Sequence, residues 1–170
     1  MSTLTDRGVE FVFVGMGAGY LRGAPYPSYN TDVTPSMESD NLARVEEVLE
    51  VLEARPLERD EWGPVEEHAL SGYRRLMTSA GMVNVVDALP GVGGYERVVA
   101  KADFWEVADG LSVWVAAMED VICSKEAVGE LIVGTPPYGR MMDGVHVLMC
   151  KETLALRKKY GTKWNLSPGS

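Results

Sequence analysis

The feature that most limits how this chain folds is residues 9–14, VEFVFV, running directly into Gly15-Met16-Gly17-Ala18-Gly19. A run this short and this rich in β-branched and aromatic side chains reads as a strand buried on both faces, so the fold needs a layer of structure on each side of it. The glycines that follow turn the chain sharply and bring backbone N–H groups to the start of a helix, expected over residues 18–22, where a phosphate can be met. Taken alone the turn is structural. It does not match the GxxxxGK[ST] phosphate loop, and it lacks the later acidic residue of a dinucleotide fold because the next strand arrives too soon.

Pro25, Pro27 and Pro35 exclude a helix from the segment that follows and leave room for a short strand at residues 30–34. From Ser39 the period becomes helical. Leu42, Val45, Val48, Leu49 and Leu52 share one face, Glu46, Glu47 and Glu50 lie outside it, and Ser39 or Asp40 stands at the N-cap. Residues 55–70, broken by Pro56 and Pro64, read as a loop. Strands are expected at 73–78 and 82–86, then a glycine-rich turn, a helix at 95–102, and a hairpin of 104–108 with 111–115 about Asp109-Gly110. Residues 118–128 read as a helix, 129–140 as a loop and 145–160 as the last helix. The order β-α-β-α-β-β-α-β-β-α-α describes an α/β (α+β) domain with a mixed sheet, and the chain's 170 residues suit one domain with a sizeable core.

Charge and composition narrow the function. A net charge of −9 opposes an open phosphate-binding surface, so a nucleic-acid reader of that kind is not expected. Arg157, Lys158, Lys159 and Lys163 near the C-terminus read as cations complementing the end of a helix dipole. Cys123 and Cys150 have no CxxC spacing and are expected as reduced thiols. MSTLTDRGVE has no basic-then-apolar leader, and no apolar run approaches the roughly 18 residues of a membrane span. A cytoplasmic protein with no membrane partner is expected. His68 and His146 are far apart in sequence, and Ser79, Ser124 and Cys123 have no adjacent base, so hydrolytic chemistry has no support.

Several segments taken in order resemble a known family. FVFVGMGAGYLRGAP, NTDVTPSMESDNLARV, GMVNVVDALPGVGGYERVV, LSVWVAAMEDVICSKEA and GRMMD follow the sequence of motifs in small bacterial nucleotidyltransferase-like proteins, which include stand-alone enzymes and toxin components of toxin–antitoxin pairs. The resemblance covers residues 8–143 and implies a nucleotidyltransferase-type mixed sheet flanked by helices, with magnesium as cofactor and a nucleoside triphosphate as ligand. In that family an Asp-x-Asp strand sets two carboxylates on one face, since positions i and i+2 of a strand point the same way. Two metal ions then bridge the carboxylates and the triphosphate.

Transferred residue by residue, the resemblance places the first carboxylate position at Asn30, the second at Asp32 and the third at Asn84. The opening glycine pair becomes Gly15 and Met16, and Lys125 and Arg140 fall on the triphosphate side, with Met142 where relatives carry a lysine. Lys125 read without the resemblance is an exposed helix residue pairing with Glu119 or Asp120, and Met16 a core methionine. Two negative charges are missing from the metal site. Asp87 supplies one only if a bulge intervenes or the strand has ended, because residues three apart on a strand point to opposite faces. The expectation is a nucleotidyltransferase-fold protein that binds a nucleotide or a protein partner with weakened or lost catalysis. The alternatives are an active metal-dependent enzyme using Asp32 and Asp87, and an acidic interaction protein with no nucleotide site.

Overall fold

The apolar run at the start of the chain becomes β1 (Phe11–Phe13), an interior strand with all three side chains buried, as its composition requires. The computed structural model describes residues 1–57, 72–131 and 137–161, with the backbone alone for 129–131 and 137–143. Around β1 the elements are α1 (Ser2–Asp6), α2 (Gly15–Leu21), β2 (Asn30–Pro35), α3 (Ser39–Val51), β3 (Arg55–Pro56), β4 (Tyr73–Thr78) and β5 (Gly81–Val86). There follow β6 (Ala88–Leu89), β7 (Gly93–Gly94), α4 (Tyr95–Val99), β8 (Asp103–Ala108), β9 (Leu111–Val115), α5 (Met118–Leu131) and α6 (Pro137–Tyr160).

Seven strands form one sheet in the order β3-β4-β5-β2-β1-β9-β8, and β6 pairs with β7 in a small ribbon. The sheet is mixed: β1 runs parallel to β9 and β2 parallel to β5, while the other pairs are antiparallel. This is the mixed sheet flanked by helices that the order of segments implied.

The two-residue alternation of β2 and β5 separates the core from the site. Thr31, Val33 and Pro35 with Val83 and Val85 face α1 and α3, where Val45, Val48 and Leu49 cover them around an apolar cavity of about 90 Å³. Asn30, Asp32, Met82 and Asn84 face the opposite side, toward α2 and α5. Asn41, buried at the start of α3, ties this layer to the sheet. Its amide donates to the carbonyls of Glu10 (2.9 Å) and Ser36 (2.8 Å) and accepts from Glu10 N–H (2.8 Å), closing the polar groups at the end of β1.

Several boundaries differ from the sequence reading. α2 begins at Gly15, earlier than expected, because Gly15 sits at φ +65° and turns the chain into the helix directly after β1. Residues 55 and 56 form an edge strand where a loop was expected; Pro56 is tolerated there because the outer edge asks for no N–H donor. Of that expected loop, 58–70 lie outside the described residues, as do His68 and Trp62. α1 has no periodic signature and is held by one buried side chain, Leu4. α5 extends to Leu131 and α6 starts at Pro137, so both ends of the expected 129–140 loop are helical, with proline at the first helical position, where its missing N–H costs nothing. The helix expected over 95–102 ends at Val99.

Candidate functional site

A cavity of about 420 Å³ opens on the polar face of β2 and β5, between the turn after β1, the 26–30 segment, β4 and α5. Its floor is set by register. β2 and β5 pair in parallel with Asp32 opposite Asn84, and β5 pairs with β4 so that Asn84 is opposite Arg75. Arg75, Asn84 and Asp32 therefore form one row across three neighbouring strands, all on the cavity side.

Asp32 is the centre of a hydrogen-bonded set. Asn30 Nδ2 donates to Asp32 Oδ1 at 2.7 Å, and Asn84 Nδ2 donates to the same oxygen at 2.6 Å. Ser28 Oγ donates to Asn30 Oδ1 at 2.7 Å, which turns that carbonyl away from the carboxylate. Asn84 is 1 % exposed, and its Oδ1 is buried without a hydrogen-bond partner among the described residues. Leaving that acceptor unmet costs about 1–3 kcal/mol, which the fold accepts in order to hold the other end of the amide on Asp32.

The Gly15 turn closes the other side of the carboxylate. A Cβ at residue 15 would overlap Asp32 Oδ2, so only glycine lets the backbone lie against this side chain, and the backbone N–H of Val14 donates to the Asp32 carbonyl at 2.9 Å. Met16, on the first turn of α2, is buried and lines the cavity wall, combining the core role of a methionine with a place in the site. Lys125 lies on α5 and borders the same cavity, with Ser124 beside it. Behind them the Cys150 thiol is pushed up from its ordinary pKa by burial, with the Lys125 ammonium acting in the opposite direction.

Asn30, Asp32, Asn84, Gly15, Met16 and Lys125 thus meet in one place. Asp87 does not join them: β5 has ended at Val86, and the Asp87 carboxylate packs on Gly72 outside the cavity lining, so the end of the strand did not turn it inward. The Arg140 side chain lies outside the described residues. Sequence reasoning missed Arg75 and the pair Tyr26 and His146, whose rings meet at 4.5 Å between centroids along the cavity edge. The signal for Arg75 was the alternation of β4, which sets Tyr73 and Arg75 on the same face as Asn84 once the register is known. For Tyr26 and His146 there was no signal, because they are far apart in sequence and meet only through the packing of α6.

These donors do not match the demand of two dications. Magnesium takes hard, preferably anionic oxygens, and here a single carboxylate spends one oxygen on two amide N–H groups while both amide carbonyls turn elsewhere. Among the described residues no group of three or more His, Cys, Asp or Glu side chains gathers to hold a metal ion. Among them too, no helix is long and apolar enough to cross a membrane.

The fold has solved counterparts. The chain is similar to the antibiotic-resistance factor ANT(2'')-Ia in its solution structure, with a TM-score of 0.50 at 16% identity over 94% of this chain and 88% of that one. It is also similar to the crystal structure of ANT(2'')-Ia in complex with adenylyl-2''-tobramycin, with a TM-score of 0.57 at 16% identity over 92% and 86% of the two chains. At that identity the likeness shows the fold, which is the nucleotidyltransferase fold. No family model matches the sequence, and no curated protein matches it.

Proposed function

We propose that this chain is a nucleotide-binding protein on a nucleotidyltransferase fold whose transfer chemistry is weakened or lost. The observation that carries the reading is the pair of amide donors on Asp32 Oδ1. Nucleotidyl transfer is in-line attack of a hydroxyl on the α-phosphate, and its catalysis comes from positioning and from cations that neutralise developing charge. Neutral amides at Asn30 and Asn84 remove the anionic ligands that would hold those cations, while leaving the glycine turn, the lysine and the cavity in place. Binding survives such a change more readily than catalysis, because a ground-state ligand needs the pocket and the transition state needs the metals as well. The crystal structure of ANT(2'')-Ia was solved with an adenylylated ligand, adenylyl-2''-tobramycin, which supports a nucleotidyl group as occupant of this fold.

The test is calorimetric titration with ATP, CTP, GTP and UTP, each with and without magnesium, beside a transfer assay using α-labelled nucleotide. Binding of at least one nucleotide without label transfer or pyrophosphate release is the expected result. Magnesium-dependent transfer would make the chain an active enzyme, and absence of all binding would leave the acidic interaction protein as the better reading.

A further inference from the structure

We infer that the cavity holds the phosphates of its ligand on Arg75 and Lys125 without a divalent metal, so that the two cationic side chains do the charge neutralisation that the missing carboxylates deny to magnesium. This rests on the nucleotide-binding reading and goes beyond it by naming the groups that take the phosphate and the cofactor the site dispenses with.

Among the described residues lining the cavity, the acidic and basic side chains other than histidine are Arg75, Lys125 and Asp32. That described part of the lining carries two cationic groups against one carboxylate, in a protein whose overall charge is −9. A dication approaching it meets two cations and one carboxylate already shared by two amides, whereas a phosphate meets the reverse balance.

Geometry agrees with charge. Arg75 stands at the end of the row Asp32, Asn84, Arg75, one strand beyond Asn84. Adjacent strands are about 4.8 Å apart, so the Arg75 backbone is roughly 10 Å from that of Asp32, and Arg75 lines the cavity from that distance. Arg75 Nη2 rests on Met82 Sδ at 3.8 Å, which keeps the stem along the cavity side of β5. Lys125 approaches from α5, across the cavity from β4. A planar guanidinium offers paired donors that match two phosphate oxygens, and the ammonium adds a point charge on a third.

Full-length protein is titrated with ATP, inorganic tripolyphosphate and adenosine, each in chelator and in excess magnesium. ATP and tripolyphosphate are expected to bind with affinities in chelator and in magnesium that agree within about twofold, and adenosine far more weakly. Arg75→Gln is expected to lower ATP affinity about ten- to hundredfold, the loss of a charge-assisted contact, and Arg75→Lys to recover part of it. Binding seen only with magnesium overturns the inference while leaving nucleotide binding intact, and so does an Arg75→Gln protein with unchanged affinity. Adenosine binding as tightly as ATP also overturns it, because the phosphates would then contribute nothing. Absence of binding by all three probes overturns this inference and the nucleotide reading together. If Arg75→Gln fails to fold by circular dichroism, Lys125→Met takes its place with the same expected loss, and the chelator comparison needs no variant.

Discussion

Asn84 Nδ2 and Asp32 Oδ1 are 2.6 Å apart, a donor on β5 meeting an acceptor on β2 directly opposite in a parallel pair. Parallel pairing sets the two Cβ atoms on the same face, so a residue change at position 84 acts on Asp32 with no intervening atom. A carboxylate at 84 would face Asp32 as a second negative charge within hydrogen-bond distance. The amide instead donates a hydrogen bond to it, and Asn30 repeats the arrangement from two residues away on Asp32's own strand. The floor of the cavity is consequently stable as a hydrogen-bonded unit of one charge.

Gly15→Ala is expected to damage this unit more than strain alone would. Gly15 and Gly110 both hold φ near +65°, at +65° and +69°, but a Cβ at 110 meets nothing within 4 Å while one at 15 runs into the Asp32 carboxylate. Alanine at a left-handed position costs about 1–2 kcal/mol, so Gly110→Ala measures the strain and Gly15→Ala the strain plus the collision. Differential scanning fluorimetry should show a melting temperature for Gly15→Ala several degrees below that of Gly110→Ala. Equal shifts would mean that Asp32 moves aside freely.

Arg22 is expected to be a structural arginine of large effect. It is 8 % exposed at the C-terminal end of α2, and its guanidinium donates to the carbonyls of Ala116 (2.5 Å) and Val115 (2.8 Å), pairs with Asp103 at 2.9 Å and lies 5.0 Å from the centre of the Trp105 ring. Arg22→Met removes the guanidinium donors from the carbonyls of Val115 and Ala116 and should cost about 2–4 kcal/mol in urea unfolding. Asp103 is 60 % exposed, so Asp103→Asn should cost under about 1 kcal/mol. A larger effect from Asp103 than from Arg22 would contradict the assignment of the carbonyls as the main partners.

The Cys150 thiol gives stability a slope at high pH. Burial raises its pKa in the fold, so the folded state holds its proton more tightly than the unfolded chain. The contribution is whole below the ordinary thiol value of about 8.5 and is lost as pH rises through the higher folded value. Melting temperature should therefore fall faster above about pH 8.5 in the parent than in Cys150→Ala, whose cavity cost is the same at every pH. Parallel profiles would show that the thiol is not buried as described.

Much of the fold was legible because its signals are local. The strand and glycine turn at Phe11 to Gly19, the amphipathic face of α3 and the Asp109-Gly110 hairpin each follow from neighbours in sequence. Gathering Gly15, Asn30, Asp32, Asn84 and Lys125 in one cavity followed from the order of motifs. Arg75 was not legible, since its place depends on which strand β4 joins and in what register, a pairing between segments that no local pattern encodes. Tyr26 and His146 were illegible for a stronger reason: a loop residue and a helix residue meet there through tertiary packing alone. The loop expected over 129–140 was drawn too long at both ends, because the prolines and glycines at 134–139 look like breakers while Pro137 in fact opens α6; its middle, 132–136, lies outside the described residues.

Restoring the missing charges is the sharpest test of the site. In Asn30→Asp with Asn84→Asp, three carboxylates share the space where two amides now donate to one oxygen. Both hydrogen bonds to Asp32 Oδ1 are lost, and like charges at this distance resist joint ionisation, so at least one carboxyl in the folded state must have a raised pKa. A carboxyl raised in the fold is penalised above its unfolded value near 4, so in chelator the double variant should melt several degrees below the parent at pH 7 and recover toward pH 5. Excess magnesium should reverse the sign. A bound dication is neutralised by three anionic oxygens, and binding to the folded state alone stabilises it by mass action. The parent is expected to show no magnesium shift, because its amides offer N–H groups where a metal needs oxygen. Each single variant should fall between the two, with Asn84→Asp the more damaging in chelator because position 84 is buried. A double variant that melts like the parent in chelator and ignores magnesium would make Asn30 and Asn84 ordinary structural residues. A parent stabilised by magnesium as strongly as the double variant would restore a metal to the native site.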